Sequence, residues 1–371
     1  MISRQENSKE TVDSKMKLCA DVLANDIPAI ERVCKELSED ERKNGVKYFE
    51  VSLNPYILLG DDKSDEKVQE VVSSVLSSLA AAQEVTGVRY GVVLQYSKGV
   101  KEQAKFLLTL CKDLKDENVV GIELAGYDFN IEEVISDDSE NVDFLLFSPD
   151  DIDIFMEAKD NKIHRSVHAG AYCPSEVIFQ AIEKLGAERI VFGYSVIEDN
   201  SLYQDCISNK IHFCTTPSFN YGPKGNRYIF SRCFPEVLSL INSGADKLYH
   251  PTVQFAEDNV SFSINTGYPA VTGTGMEAEI DLVKFWGLTE THLTKAVFNS
   301  ARNAFMEDKK KKELQKELRK VMVAMYFDTD TKQWLIQAFG LEDKVELEIM
   351  INHNCGMTEE DGEGKVVKVS F

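Results

Sequence analysis

One histidine stands where a strand-like run ends in small residues: His168, within Arg165–Ala171 (RSVHAGA). An imidazole at the carboxyl end of a strand in a parallel α/β fold can ligate a metal ion or move a proton, because such folds gather their reactive groups there. The third residue beyond it is Ala171, which can neither donate nor accept a proton. Three further strand-like runs end in distinctive residues: Ile122–Gly126 (IELAG), Phe192–Asp199 (FGYSVIED) and Ser263–Pro269 (SINTGYP). His212 and Cys214 lie two apart on another such run, so they share a face and could in principle join His168 in a metal site. Gly273–Gly275 (GTG) is a glycine-rich turn, but without a following G-K-[ST] it is not a phosphate loop.

The elements that must position these residues alternate in type. Residues 1–15 read as disordered, and Met16 to Glu39 as helical, with Leu18, Val22, Ile27, Ile30, Val33 and Leu37 at helix-like spacing. Strand-like runs then recur at 47–53, 88–96, 118–126, 165–170, 189–195, 211–216 and 260–266, with helical stretches between most of them. This periodicity predicts an α/β fold with a parallel sheet, either a barrel or a doubly wound sheet. From Glu277 the chain reads as helical, and the lysine cluster of DKKKKELQKELRK reads as a solvated face. Two strand-like runs close the chain, Val345–Ile351 and Lys365–Phe371, with an acidic loop between them, a pattern that suggests a hairpin.

Bulk properties narrow the partners. The chain has 371 residues, 43% of them hydrophobic, enough for a large core. Its formal net charge of −21 disfavours nucleic acid and anionic membrane surfaces. No secretory signal and no bilayer-spanning apolar run is visible. The eight cysteines are scattered with no C-x-x-C pair, as expected of free thiols in a cytoplasmic protein. Acidic pairs such as Asp137-Asp138 and Glu359-Glu360 read as solvated.

In order and spacing, the four strand-end blocks resemble the adenosine deaminase family of metal-dependent purine deaminases, within the amidohydrolase superfamily. GVKYFEVSLNP, IHRSVHAG, SEVIFQAIEKLGAERI and NSARNAF extend the resemblance over roughly Ile27 to Phe305. It implies a TIM-type β/α barrel with its site at the carboxyl ends of the strands. It also implies zinc-dependent hydrolysis at purine C6, in which the metal lowers the pKa of its water to about 7.

The resemblance assigns His168 to a metal-ligand position and Gly126 to a purine contact. Elsewhere the chain departs from the pattern. Ala171 replaces the proton-shuttling glutamate, Phe192 the water-orienting histidine, and Ser195 the other histidine of that block. Gly267 replaces the metal-binding aspartate and Tyr268 the base-contacting one. The family's first-strand H-x-H occurs nowhere in these 371 residues, so the first family strand is expected to be missing.

The expected architecture is therefore a barrel over 16–310 and a C-terminal extension over 311–371, part helix and part strand-like tail. The expected function is that of an adenosine deaminase-like pseudoenzyme with a binding or regulatory role, retaining a purine nucleoside as its candidate ligand and needing no cofactor. The alternatives are an active zinc-dependent adenosine deaminase and a scaffold that uses the barrel surface. His168 reads either as a vestigial ligand or as a core histidine bonded to a backbone carbonyl. Gly126 reads as a ring contact or as a tight turn. Phe192 and Tyr268 would fill the space left by metal and water, making a drier pocket or closing it. A seven-stranded barrel leaves two edges, which the tail strands or a second copy in a homo-oligomer would cover.

Overall fold

A computed structural model describes residues 9–126, 146–171, 173–218 and 250–326. Helix α1 occupies Lys9–Leu23, so the disorder expected for 1–15 does not hold over residues 9–15. The helix is anchored by its partners: Met16 and Leu23 pack against the core, and the Lys15 ammonium donates to the Val271 carbonyl at 3.2 Å. The single helix expected from Met16 to Glu39 is two. Asn25 takes a left-handed φ of 59°, and Asp26 caps α2 (Ile27–Lys43) by accepting from the Ala29 amide.

The barrel series then runs β1 (Tyr48–Leu53), α3 (Asp65–Thr86), β2 (Arg89–Ser97), α4 (Lys101–Asp113), β3 (Val119–Ala125), α5 (Pro149–Asp160), β4 (His164–Ala169), α6 (Ser175–Glu183), β5 (Arg189–Phe192), α7 (Asn200–Ser208), β6 (His212–Thr215), α8 (Pro251–Glu257) and β7 (Phe262–Ile264). The C-terminal part is helical: α9 (Pro269–Thr272), α10 (Met276–Trp286), α11 (Glu290–Asn303) and α12 (Asp308–Tyr326). All seven expected strands form. The fifth is shorter than its apolar run because Phe192 and Gly193 both turn left-handed, at φ 74° and 72°, and lead into a 3-10 turn over Tyr194–Glu198. Helix α8 was not expected; Pro251 starts it, and His250 caps it by accepting from the Thr252 amide at 3.2 Å. The tail runs 345–351 and 365–371 and the acidic pairs at 137–138 and 359–360 lie outside the described residues.

The strands form one sheet in the order β1-β2-β3-β4-β5-β6-β7, every neighbouring pair parallel. Central strands such as β2 are buried along nearly their whole length, as befits a parallel sheet covered by helices. The sheet curls: Glu50 of β1 meets Arg189 of β5 at 2.6 Å across the interior. This is the TIM-type architecture with seven strands, open between β1 and β7 among the described residues.

The amino-terminal base of the barrel is closed by a polar and aromatic plug. Arg189 pairs with Glu50 and lies 3.6 Å over the ring of Phe305. Glu50 also accepts from the Phe305 amide at 2.5 Å, and the Phe305 ring stacks on His164 at 4.6 Å. Outside them, Glu188 bonds His164 Nδ1 and Arg165, each at 2.6 Å. Among the described residues no helix is long and apolar enough to cross a membrane.

Candidate functional site

Parallel strands bring their carboxyl ends to one mouth, so His168, Phe192 and their neighbours meet there by topology. His168 lies on β4, and its Nε2 is 3.0 Å from Oε1 of Glu123 on β3. Gln95 of β2 donates to the same oxygen at 2.9 Å, and Ser166 of β4 donates to Oε2 at 2.7 Å. Ser52 of β1 also hydrogen-bonds this carboxylate. Burial pushes the Glu123 carboxyl up. The charge and hydrogen bond of His168, with Ser52 and Gln95, outweigh it and hold the group well below the usual carboxylate range. A carboxylate only accepts, so the His168 Nε2 facing it carries the hydrogen. That nitrogen's lone pair is therefore unavailable to a metal. The partner of Nε2 is a carboxylate.

The residues beside His168 are apolar and packed. Ala171 is 1% exposed and Phe192 1%. The Phe192 ring lies perpendicular to that of His168, centroids 5.5 Å apart, and is also packed on Tyr194. Its left-handed φ of 74° is strained for a bulky side chain, a cost of roughly 1–3 kcal/mol. Two backbone bonds tie the ends of β4 and β5: Gly193 N to the Ala169 carbonyl at 2.8 Å, and Ser195 N to that of Gly170 at 3.0 Å. A Cβ on Gly193 would sit 2.0 Å from the Phe213 ring, so the turn requires glycine. Ser195 is buried and its hydroxyl has no hydrogen-bond partner among the described residues.

The remaining candidates lie on other strands or at their ends. Gly126 ends β3 with φ 98°, and a Cβ there would approach the Lys98 amide to 3.3 Å, which is the geometry of a tight turn. Gly267 follows β7 with φ 59°; a Cβ would meet Thr216 Cγ2 at 2.7 Å and Oγ1 at 2.9 Å. Tyr268 is half-buried, packs against the core and begins α9. On β6, His212 spends both ring nitrogens on serines, Ser261 Oγ at 3.0 Å and Ser263 Oγ at 3.1 Å. Burial and the charge of Arg189 push its pKa down to about 3. His212 and Cys214 therefore do not join His168, and among the described residues no three His, Cys, Asp or Glu side chains converge to hold a metal ion. Gly273 ends α9 and Gly275 begins α10, so the GTG stretch is a helix-to-helix turn.

Two groups of residues were not singled out in the sequence. Glu123 is the larger omission; its signal was a lone acid inside the buried run VVGIELA. The other lies at the mouth beside β6. Glu279 of α10 is wholly buried and accepts from the Ser218 amide at 2.9 Å, the Ser218 hydroxyl and the Thr274 hydroxyl at 2.8 Å. Burial keeps its pKa raised despite those donors. Nearby, His250 stacks on Trp286 at 4.2 Å and makes a T-shaped contact with Tyr194 at 4.9 Å.

Comparison with known proteins agrees with this architecture. The adenosine deaminase family model matches residues 14–226 and 239–321. Adenosine deaminase of Xenopus laevis is 30% identical over 302 residues, 79% of this chain and 76% of the relative. The N6-mAMP deaminase of Arabidopsis superposes with a TM-score of 0.59 at 19% identity, over 80% of this chain and 79% of that one. A zinc-bound amidohydrolase of Burkholderia ambifaria does so with a TM-score of 0.57 at 18% identity, over 78% and 71%.

Proposed function

The chain belongs to the adenosine deaminase family, and from that premise we propose that it is a member without metal-dependent deaminase activity, acting as a binding or regulatory protein. Hydrolytic deamination at neutral pH needs a metal-activated water, an acid to protonate the ring and a group to orient the water. The donor set here does not fit a catalytic zinc, which takes three or more protein ligands. Only His168 stands at a ligand position, and its Nε2 donates to Glu123 at 3.0 Å.

The single observation that carries this reading is the Glu123–His168 pair capped by Phe192. A hydrogen-bonded carboxylate occupies Nε2 of His168, and the Phe192 ring stands perpendicular to it, at the position the family resemblance gives to a water-orienting histidine. Ala171 at the acid position and Gly267 at the second ligand position point the same way. A purine nucleoside is the candidate ligand, because family ancestry supplies a scaffold that accepts a flat heterocycle beside apolar walls.

The test is direct. Purified full-length protein incubated with zinc and adenosine is expected to hold substoichiometric metal and to form no inosine above the uncatalysed background. Stoichiometric zinc with inosine production would establish the active alternative suggested by the relatives' names. Thermal stabilisation by adenosine or inosine without turnover supports nucleoside binding. Its absence leaves a scaffold that uses only the barrel surface.

A further inference from the structure

The formal net charge of the chain is −21, yet α12 is strongly basic. Its stretch Asp308–Lys320 (DKKKKELQKELRK) holds seven basic and three acidic residues, a local charge of +4 (7 − 3). The helical period sorts these residues by face. Lys309, Lys312, Lys316 and Lys320, at i, i+3, i+7 and i+11, share one face and follow one another over about 16 Å of helix axis. All four are exposed. The ion pairs of this segment involve other residues: Lys310 with Glu307 at 3.8 Å, Lys311 with Asp308 at 3.6 Å, and Glu317 with Arg89 at 2.6 Å. Among the described residues none of the four stripe lysines forms an ion pair, and neither does Glu313 at the stripe's edge.

The other faces hold the helix down. Leu314 is buried, Lys311 lies near Glu188 beside β5, and Glu317 reaches Arg89 at the start of β2. Helix α12 also packs on α11. The lysine stripe is therefore a fixed platform on the base of the barrel, at the opposite end from the mouth. The arrangement works against the helix that carries it. Lys312 with Lys316, and Lys316 with Lys320, are like charges at i, i+4, which destabilise a helix. The basic surface continues onto α11, where burial and then the like charge of Arg319 lower the pKa of exposed Arg302.

An anionic partner would relieve that repulsion, and the surroundings select its kind. A bilayer or a nucleic acid presents phosphates over a far larger area than the stripe. Those phosphates would meet a chain that is −21 overall and the exposed Glu307, Asp308 and Glu313 beside the lysines. A short acidic segment meets the lysines alone. Carboxylates at i, i+3 or i, i+4 of a helix repeat every 4.5–6 Å or so, roughly the axial spacing of the lysines.

We propose that the lysine stripe of α12 docks an acidic helical segment of a partner protein, with its carboxylates against Lys309, Lys312, Lys316 and Lys320. The inference goes beyond the nucleoside reading and stands whether or not the mouth binds or turns over adenosine.

Fluorescence anisotropy with the full-length protein tests it. The probe is a labelled alanine-based helical peptide with glutamates at i, i+3, i+7 and i+11, set against the same peptide with glutamines. At low salt the glutamate peptide is expected to bind at least about tenfold more tightly than the glutamine one, and to weaken as salt is raised. Lys312→Glu with Lys316→Glu should weaken binding at least about tenfold. Lys105→Glu with Lys115→Glu changes the net charge equally at exposed positions on and just after α4, and should change binding by less than about twofold. The contrast between the two peptides needs no variant, so it does not depend on any variant folding. Equal binding of the two peptides, or binding of neither, overturns the proposal, as does equal loss in the two double variants. Tighter binding of phosphatidylserine-containing vesicles or of a single-stranded oligonucleotide also overturns it, and assigns the stripe to phosphate. A dimer of the full chain that Lys312→Glu with Lys316→Glu disperses overturns it too, and assigns the stripe to a second copy.

Discussion

The two ends of this barrel are built from the same strands but to different rules. At the base, charge is abundant and matched: Arg189 with Glu50, Arg165 and His164 with Glu188, and Phe305 stacked between Arg189 and His164. At the mouth, Ala171 and Phe192 are buried and apolar and Gly267 carries no side chain, and the charge lies one layer inward at Glu123 and His168. A barrel base needs only to be stable, whereas a barrel mouth is shaped by chemistry. Here the mouth too is organised by packing and internal satisfaction.

The comparison breaks most visibly at the base. Arg189→Met leaves the Glu50 carboxylate largely buried without its counter-charge, so it is expected to cost about 3–5 kcal/mol, measured by urea unfolding of the full chain. A loss near zero would mean that the base pair is not the closure described here. One layer below the mouth, Glu123→Gln removes the charge that holds His168 and places an amide hydrogen against existing donors. A loss of about 2 kcal/mol is expected by the same measurement. If this variant instead binds zinc through a released His168, the pair was what kept a metal out.

Much of the scaffold was legible because a parallel barrel writes its period into the chain. All seven strand-like runs became strands, and the order of their distinctive ends identified the family before any contact was known. Short or locally capped pieces were less legible. Helix α1 is held by the core and by a bond to Val271, far along the chain, and a local reading of polar residues 1–15 cannot see that partner. The break at Asn25 depends on one left-handed residue. The expected departures at Ala171, Phe192, Ser195, Gly267 and Tyr268 rest on the family pattern and not on any local signal. The partner of His168 was not legible. Glu123 pairs with His168 across neighbouring strands, and nothing in IELAG or RSVHAGA sets that register.

A pH titration sharpens the comparison, because each end buries one neutral histidine. His212 lies toward the base and His250 by the mouth, and burial lowers each from an ordinary 6.5 to about 3, with Arg189 adding to the effect at His212. The fold prefers their neutral forms, while the unfolded chain takes up protons below pH 6.5. Their contribution is complete above that pH and is lost as pH falls from 6.5 towards 3. The slope is about 1.4 kcal/mol per pH unit for each histidine. Unfolding free energies measured at successive pH values should show this slope, and His212→Asn or His250→Gln should each remove about half of it. Equal effects of the two variants support ends governed by one rule. A slope carried by His212 alone would separate them.

The smallest expected effect concerns whether the mouth can be returned to the family pattern one residue at a time. Gly267→Asp places an aspartate where the family resemblance puts a metal ligand. The backbone at this position has φ 59°, which asparagine and aspartate tolerate better than most residues. The added Cβ meets buried Thr216 at 2.7 and 2.9 Å, so the threonine must shift. A cost of about 1 kcal/mol is expected, read as a lowered unfolding midpoint. No inosine should form, because His168 still donates to Glu123, Ala171 still offers no acid, and Phe192 still fills the water's place. Gly267→Ala separates the two parts of this argument, since it tests the steric term without a ligand. If Ala and Asp cost the same, sterics set the price at this turn. If Asp is tolerated and zinc binds, the mouth has kept more of a metal site than its packing implies, and the equivalence of the two ends fails at this residue first.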